Sequence, residues 1–186
     1  MVRGFKTKAK RESLEIRKGL GVNYNDPLDC FKLVDSLDIP AYPVEKLGEF
    51  GLSTELIDTI CYSKGKQQFS ATTISVPLGH LIFYNQAHTF KRTNSSLAHE
   101  VSHIILGHEF SSILDMKMVS REFDKDKEDE ANWMAGCLLL PEDGLIWALK
   151  RKMSIQSIAD HFNISKQMTL WRYNSTGMYQ RMKYVR

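Results

Sequence analysis

His99, Glu100 and His103 stand in the order H-E-x-x-H. Two histidines four residues apart on an α-helix lie one above the other, so both imidazoles can reach a single metal ion. Glu100 is displaced round the helix from its neighbour and can face a water on that metal. Zinc lowers the pKa of such a water to about 7, and a carboxylate that takes its proton prepares it to attack a peptide carbonyl. The surroundings suit a helix over 97–106: Leu97, Val101, Ile104 and Ile105 flank the motif, Ser95 or Ser96 can cap it, and Gly107 can stop it. A helix with two internally satisfied histidines and a surface glutamate is the plainer alternative.

A catalytic zinc site takes three protein ligands and keeps one position for water. The longer pattern H-E-x-x-H-x-x-G-x-x-H is excluded, because Leu106 and Glu109 occupy its glycine and third histidine. Glu109 could ligate only if the chain turned back sharply after Gly107, and His108 is placed to serve as a cation at the helix end. Glu130 is the better candidate. Ala131, Met134, Ala135 and Leu138 form the inward stripe of a second helix, and Glu130 borders that stripe while Glu128 and Asp129 are expected to point further toward solvent. A carboxylate against an apolar stripe is costly unless something neutralises it, and a metal would. The general preference of acidic side chains for helix N-termini accounts for the same residue without a metal.

The run Ala98 to His108, followed by Glu130-Ala131-Asn132 and Leu138-Leu139-Leu140-Pro141, resembles the ImmA/IrrE family of zinc metallopeptidases, which are gluzincin-like. The similarity is strongest over 97–142 and looser elsewhere. The resemblance implies that His99, His103 and Glu130 hold one Zn2+ (or another divalent metal) and that Glu100 is the catalytic base. It also implies a protein substrate: a helix–turn–helix repressor whose cleavage relieves repression of stress, phage or mobile-element genes. Ser102 stands where many members have glycine and Met134 where many have phenylalanine; neither is a ligand.

These residues need a scaffold, and the composition allows one. The chain has 186 residues, 42% hydrophobic and 25% charged, which suits one globular domain or one domain with an appendage. No apolar run approaches the roughly 18 residues of a membrane helix, and the basic stretch 1–18 lacks the apolar core of a signal peptide. Three widely spaced cysteines, Cys30, Cys61 and Cys137, read as reduced thiols, so a cytoplasmic protein is expected. Helices are expected over 5–18 and, with Asn25-Asp26 as cap and Pro27 at the first position, over 27–37. Short β-rich segments at 59–62, 69–76 and 81–84, with turns at 64–66 and 77–79, predict a small antiparallel sheet. The fold class is therefore α+β, with a zincin-like helical core. Residues 1–145 would form the metallopeptidase domain and 146–186 a helix–turn–helix-like segment packed on it.

That segment carries eight Lys/Arg against Asp160 alone, while residues 1–19 are also basic and the middle is acidic. Its second helix, capped by Ser165, would present Lys166, Gln167, Thr169 and Arg172. Of these, Lys166, Gln167 and Arg172 are the candidates for contact with a substrate or with nucleic acid. Packing on the core explains the same pattern, and a helix–turn–helix shape alone is weak evidence for DNA binding. Arg172 and Tyr173 are guesses for the group that steadies the oxyanion. The rival function is a DNA- or protein-binding regulator with a structural or vestigial metal site. A zinc enzyme acting on a small amide is a third class; nucleotides are disfavoured because no phosphate-cradling glycine loop is present.

Overall fold

Caps and prolines set the first elements. The computed structural model describes residues 1–51, 53–55, 57–58, 69–110 and 124–178. Helix α1 spans Phe5–Gly19 and α2 spans Cys30–Ser36. The second is shorter than the expected 27–37, because the carboxylate of Asp29 accepts from the Phe31 amide and starts the helix there. Asp26 is used differently: it accepts from the backbone and side-chain nitrogens of Asn23 in the preceding turn.

The proline-bearing stretch yields a strand. β1 (Ala41–Pro43) runs parallel to β3 (Gly79–Tyr84), which pairs antiparallel with β2 (Ala71–Val76), giving the order β1-β3-β2. The sheet is therefore mixed, where an antiparallel one was expected. Only the last residue of β1 is proline, where a missing N–H costs least. Val76 pairs with Gly79 across the two-residue turn Pro77-Leu78, and the glycine takes φ 133°. The expected strand at 59–62, the turn at 64–66 and Cys61 lie outside the described residues.

A 3-10 helix, Val44–Phe50, follows β1, and after the sheet come α3 (Phe90–Ile105), α4 (Lys125–Leu139), α5 (Glu142–Lys150), α6 (Ile155–His161) and α7 (Lys166–Ser175). Helix α3 begins at Thr89, well before the expected serine caps. Both serines sit inside it, with Ser95 Oγ donating to Lys91 O and Ser96 Oγ to Arg92 O, so the helix satisfies them itself. Leu97, Ala98 and Val101 of α3 share one buried cluster with Met134, Ala135 and Leu138 of α4. That packing holds the two functional helices side by side. Ile158, Phe162 and Ile164 join the same cluster, so the C-terminal helices rest on the core. Asp124 and Ser165 cap α4 and α7 as short polar side chains should.

Two buried arginines finish α4. Arg17 of α1, 1% exposed, donates to Leu138 O at 2.6 Å and to the carbonyls of Asn23 and Asp26. Arg172 of α7, also 1% exposed, donates through Nε to Leu140 O at 3.0 Å and from its terminal nitrogen to Cys137 Sγ at 3.2 Å. Carbonyls at a helix C-terminus lack intrahelical donors and carry partial negative charge, so cations belong there. Burial pulls the Arg17 guanidinium down to about 10, which leaves it charged at neutral pH.

Close approach also matters at Gly144 on α5. A Cβ there would lie 2.3 Å from the Tyr24 carbonyl oxygen and 3.2 Å from Phe162 Cζ. The nearest atom is backbone, so it yields little. Gly144→Ala should destabilise the chain by about 1–3 kcal/mol, read as a lower urea midpoint; an unchanged midpoint would show that the Tyr24 turn moves freely.

Candidate metal centre and active site

Helix α3 stacks His99 and His103 as their spacing requires, and their Nε2 atoms lie 3.1 Å apart. Asn132 on α4 orients the first ring. Its Oδ1 lies 3.1 Å from His99 Nδ1 and, as an amide oxygen, accepts, so Nδ1 carries the proton and the Nε2 lone pair faces inward. Glu128, one turn before Asn132, places Oε2 3.2 Å from His99 Nε2 and Oε1 3.5 Å from His103 Nε2. One donor atom from each of His99, His103 and Glu128 falls within 4.8 Å of the others.

This donor set fits a zinc ion. Two imidazole nitrogens and a carboxylate turned toward one point repel unless a cation sits among them. With bonds of about 2.0–2.1 Å, a tetrahedral zinc holds its ligand atoms about 3.3 Å apart. The two imidazole nitrogens, 3.1 Å apart, and Glu128 Oε2, 3.2 Å from the first of them, lie near that spacing, while the other Glu128 oxygen faces His103 at 3.5 Å.

Glu130, the expected third ligand, meets a different partner. Its Oε2 lies 3.5 Å from His108 Nε2, and His108 Nδ1 lies 2.9 Å from His103 Nδ1. Glu130 thus contacts His108, which lies against the second histidine, and Glu128 supplies the carboxylate at the histidine pair. The reason is helix phase. At 100° per residue, Glu128 and Asn132 share a face, while Glu130 is turned well away from both. Burial is a poorer guide: the Glu130 side chain is 17% exposed and that of Glu128 27%, so burial does not single out the carboxylate that lies at the histidine pair. The legible signal is that Glu128 and Asn132 repeat the four-residue spacing of His99 and His103. His108, expected as a helix-end cation, instead lies against His103.

Glu100 is 5% exposed and accepts a hydrogen bond of 2.7 Å from Thr73 Oγ1 of β2. That contact fixes one carboxylate oxygen and ties the sheet to α3. Thr73 carried no signal in the sequence beyond its β-branched type. A cleft of about 880 Å³ opens beside these groups. It is bounded by Ala71 at the start of β2, by Ser96, His99 and Glu100 on α3, and by Gln167 and Trp171 on α7.

The tail candidates separate. Gln167 is exposed and lines the cleft, and Lys166 is exposed on the same turn. Arg172 is not open to either a substrate or nucleic acid, because it is spent on the end of α4, its guanidinium 5.1 Å from the Trp133 ring centroid. Thr169 is fully buried, and Tyr173 packs half-buried on the core. Neither guess for the oxyanion group therefore comes from a residue that lines the cleft.

Burial alone would push the His99 imidazole down. The hydrogen bond to Glu128, with the charges of Glu100 and Glu128 and the contact to Asn132, outweighs it and leaves the pKa above the ordinary 6.5. In the metal-free chain this contribution to stability is present below pH 6.5 and is lost as pH rises through the folded value. A proton on Nε2 also competes with zinc. Zinc affinity should therefore start to fall on acidification already above pH 6.5, as measured by competition with a chromophoric chelator at stepped pH. Affinity that stays flat down to pH 6.5 would contradict this.

A family model described as Peptidase_M78, the IrrE N-terminal-like domain, matches residues 50–174. No curated protein matches the chain. Among the described residues, no helix is long and apolar enough to cross a membrane.

Proposed function

The chain belongs to the Peptidase_M78 family of IrrE N-terminal-like domains, and from that premise we propose that it is a zinc-dependent endopeptidase that cuts a helix–turn–helix repressor. The observation that supports this reading best is the convergence of His99, His103 and Glu128 beside a cleft that also contains a pinned Glu100. In this reading His99, His103 and Glu128 hold the ion. Bound there, zinc supplies Lewis acidity toward a substrate carbonyl and makes water a nucleophile near neutral pH.

The chain's own residues do the rest. Asn132 fixes the tautomer of His99, and the His108–Glu130 pair steadies His103 from its other nitrogen. Glu100 takes the proton from the attacking water and passes it to the leaving amine. Thr73 holds the carboxylate in place through one oxygen, leaving the other for that exchange. Ser165, Gln167, Met168 and Trp171 form a wall of the cleft in this reading, and burial of Thr169 and Arg172 argues against a base-reading helix. Repressor cleavage would place the protein in the cytoplasm.

Co-production with candidate repressors tests the proposal. Fragments of one repressor should appear with the wild-type chain and vanish with Glu100→Gln. A zinc-loaded wild type that leaves every candidate intact would overturn the repressor assignment.

A further inference from the structure

We propose that the cleft selects substrates by an acidic side chain about three residues from the scissile bond, and that Arg92 is the residue that reads it. This rests on the peptidase reading and adds its substrate class. Arg92 lies seven positions before His99 on α3, so the two share a helix face roughly two turns apart. At 1.5 Å per residue the separation along the helix is about 10 Å, the span of about three residues of extended peptide at 3.3 Å each. A chain laid along α3 with its reacting bond at His99 and Glu100 therefore brings a side chain three residues away over Arg92.

The charge there is available. Arg92 is exposed and lines the same cleft as His99 and Glu100. Its terminal nitrogen donates to Ser70 Oγ at 3.0 Å, which holds the guanidinium at the cleft without neutralising it. Among the described residues no carboxylate forms an ion pair with it. Lys91 next to it differs, being paired with Asp160. Around Arg92 the cleft offers Phe69, Met168 and Trp171 with Ser70, Ser95 and Gln167. An uncompensated cation beside aromatic and polar neutral groups favours aspartate or glutamate in the chain that lies there, and a fork of N–H donors suits a carboxylate. The first turn of α3 contains no acidic residue that would oppose this.

Fluorescein-labelled dodecapeptides test the inference by binding and by cutting. One set carries Glu, Gln or Lys at each of the second to fourth positions on either side of a central Ala-Phe bond. Anisotropy is read with zinc-loaded Glu100→Gln, and cleavage with zinc-loaded wild type. At one of these positions Glu should bind about three- to fivefold tighter than Gln at low salt, as expected for an exposed pair. Lys should be weaker, and the contrast should shrink at high salt. Adding Arg92→Glu should reverse the order of Glu and Lys, and Arg92→Gln should remove it. Equal binding of Glu and Gln, a preference that survives both substitutions, or no binding by any peptide would overturn the inference. A preference that holds while wild type cuts none of the peptides would leave the subsite standing and count against the peptidase reading.

Discussion

Glu100→Gln should lower the turnover of a cleaved substrate by about 10²–10⁴-fold, the range a general base contributes, without loss of zinc. The substitution keeps the side chain's shape. Glutamine still offers a carbonyl oxygen to Thr73 Oγ1, so the buried hydroxyl keeps its acceptor and the side chain its anchor. What disappears is the capacity to take a proton. Fragment formation should therefore collapse while zinc stoichiometry and thermal midpoint stay near wild type. Unchanged cleavage would remove Glu100 from the reaction; lost zinc would mean that it supports the metal directly.

Glu128→Ala and Glu130→Ala should separate in zinc affinity. Removing an outer partner of a ligand costs about 10–100-fold in affinity, which is the expectation for Glu130, because it acts on His103 through His108. Glu128→Ala should exceed a hundredfold, since it removes the only carboxylate within reach of both histidine Nε2 atoms among the described residues. Chelator competition measures both, with circular dichroism confirming that each variant folds. The opposite order would restore Glu130 as the ligand. That comparison bears on the point where sequence and structure part most clearly.

Helix α3 and its motif were legible because four-residue spacing and helical geometry coincide, and two histidines beside a glutamate leave few other readings. The tail's two helices and the Ser165 cap were legible for similar reasons: local chemistry decides local structure. The expectation at Glu130 rests on its place beside an apolar stripe and on family resemblance, and neither registers helix phase to within a residue. Asn132 would have settled the phase, but an asparagine that orients a ring looks like any other until the ring is in place. Thr73 and β1 depend on tertiary pairing, which no local pattern carries. Arg172 misled because a basic residue on an amphipathic helix usually faces water; the carbonyl of Leu140 and the thiol of Cys137 draw it inward here.

The paired guanidiniums at the far end of α4 make the metal centre sensitive to changes remote from it. Glu128 and Leu138 stand ten residues apart, about 15 Å along one rigid rod. Lysine could match neither arginine's planar fork, so an exchange conservative in charge would loosen the rod's anchor and tilt its opposite tip. Drift at Arg17 or Arg172 should thus weaken zinc binding at the proposed site while His99, His103 and Glu128 all remain in place. A survey that inspected only the histidines and the glutamates would score such a sequence as active.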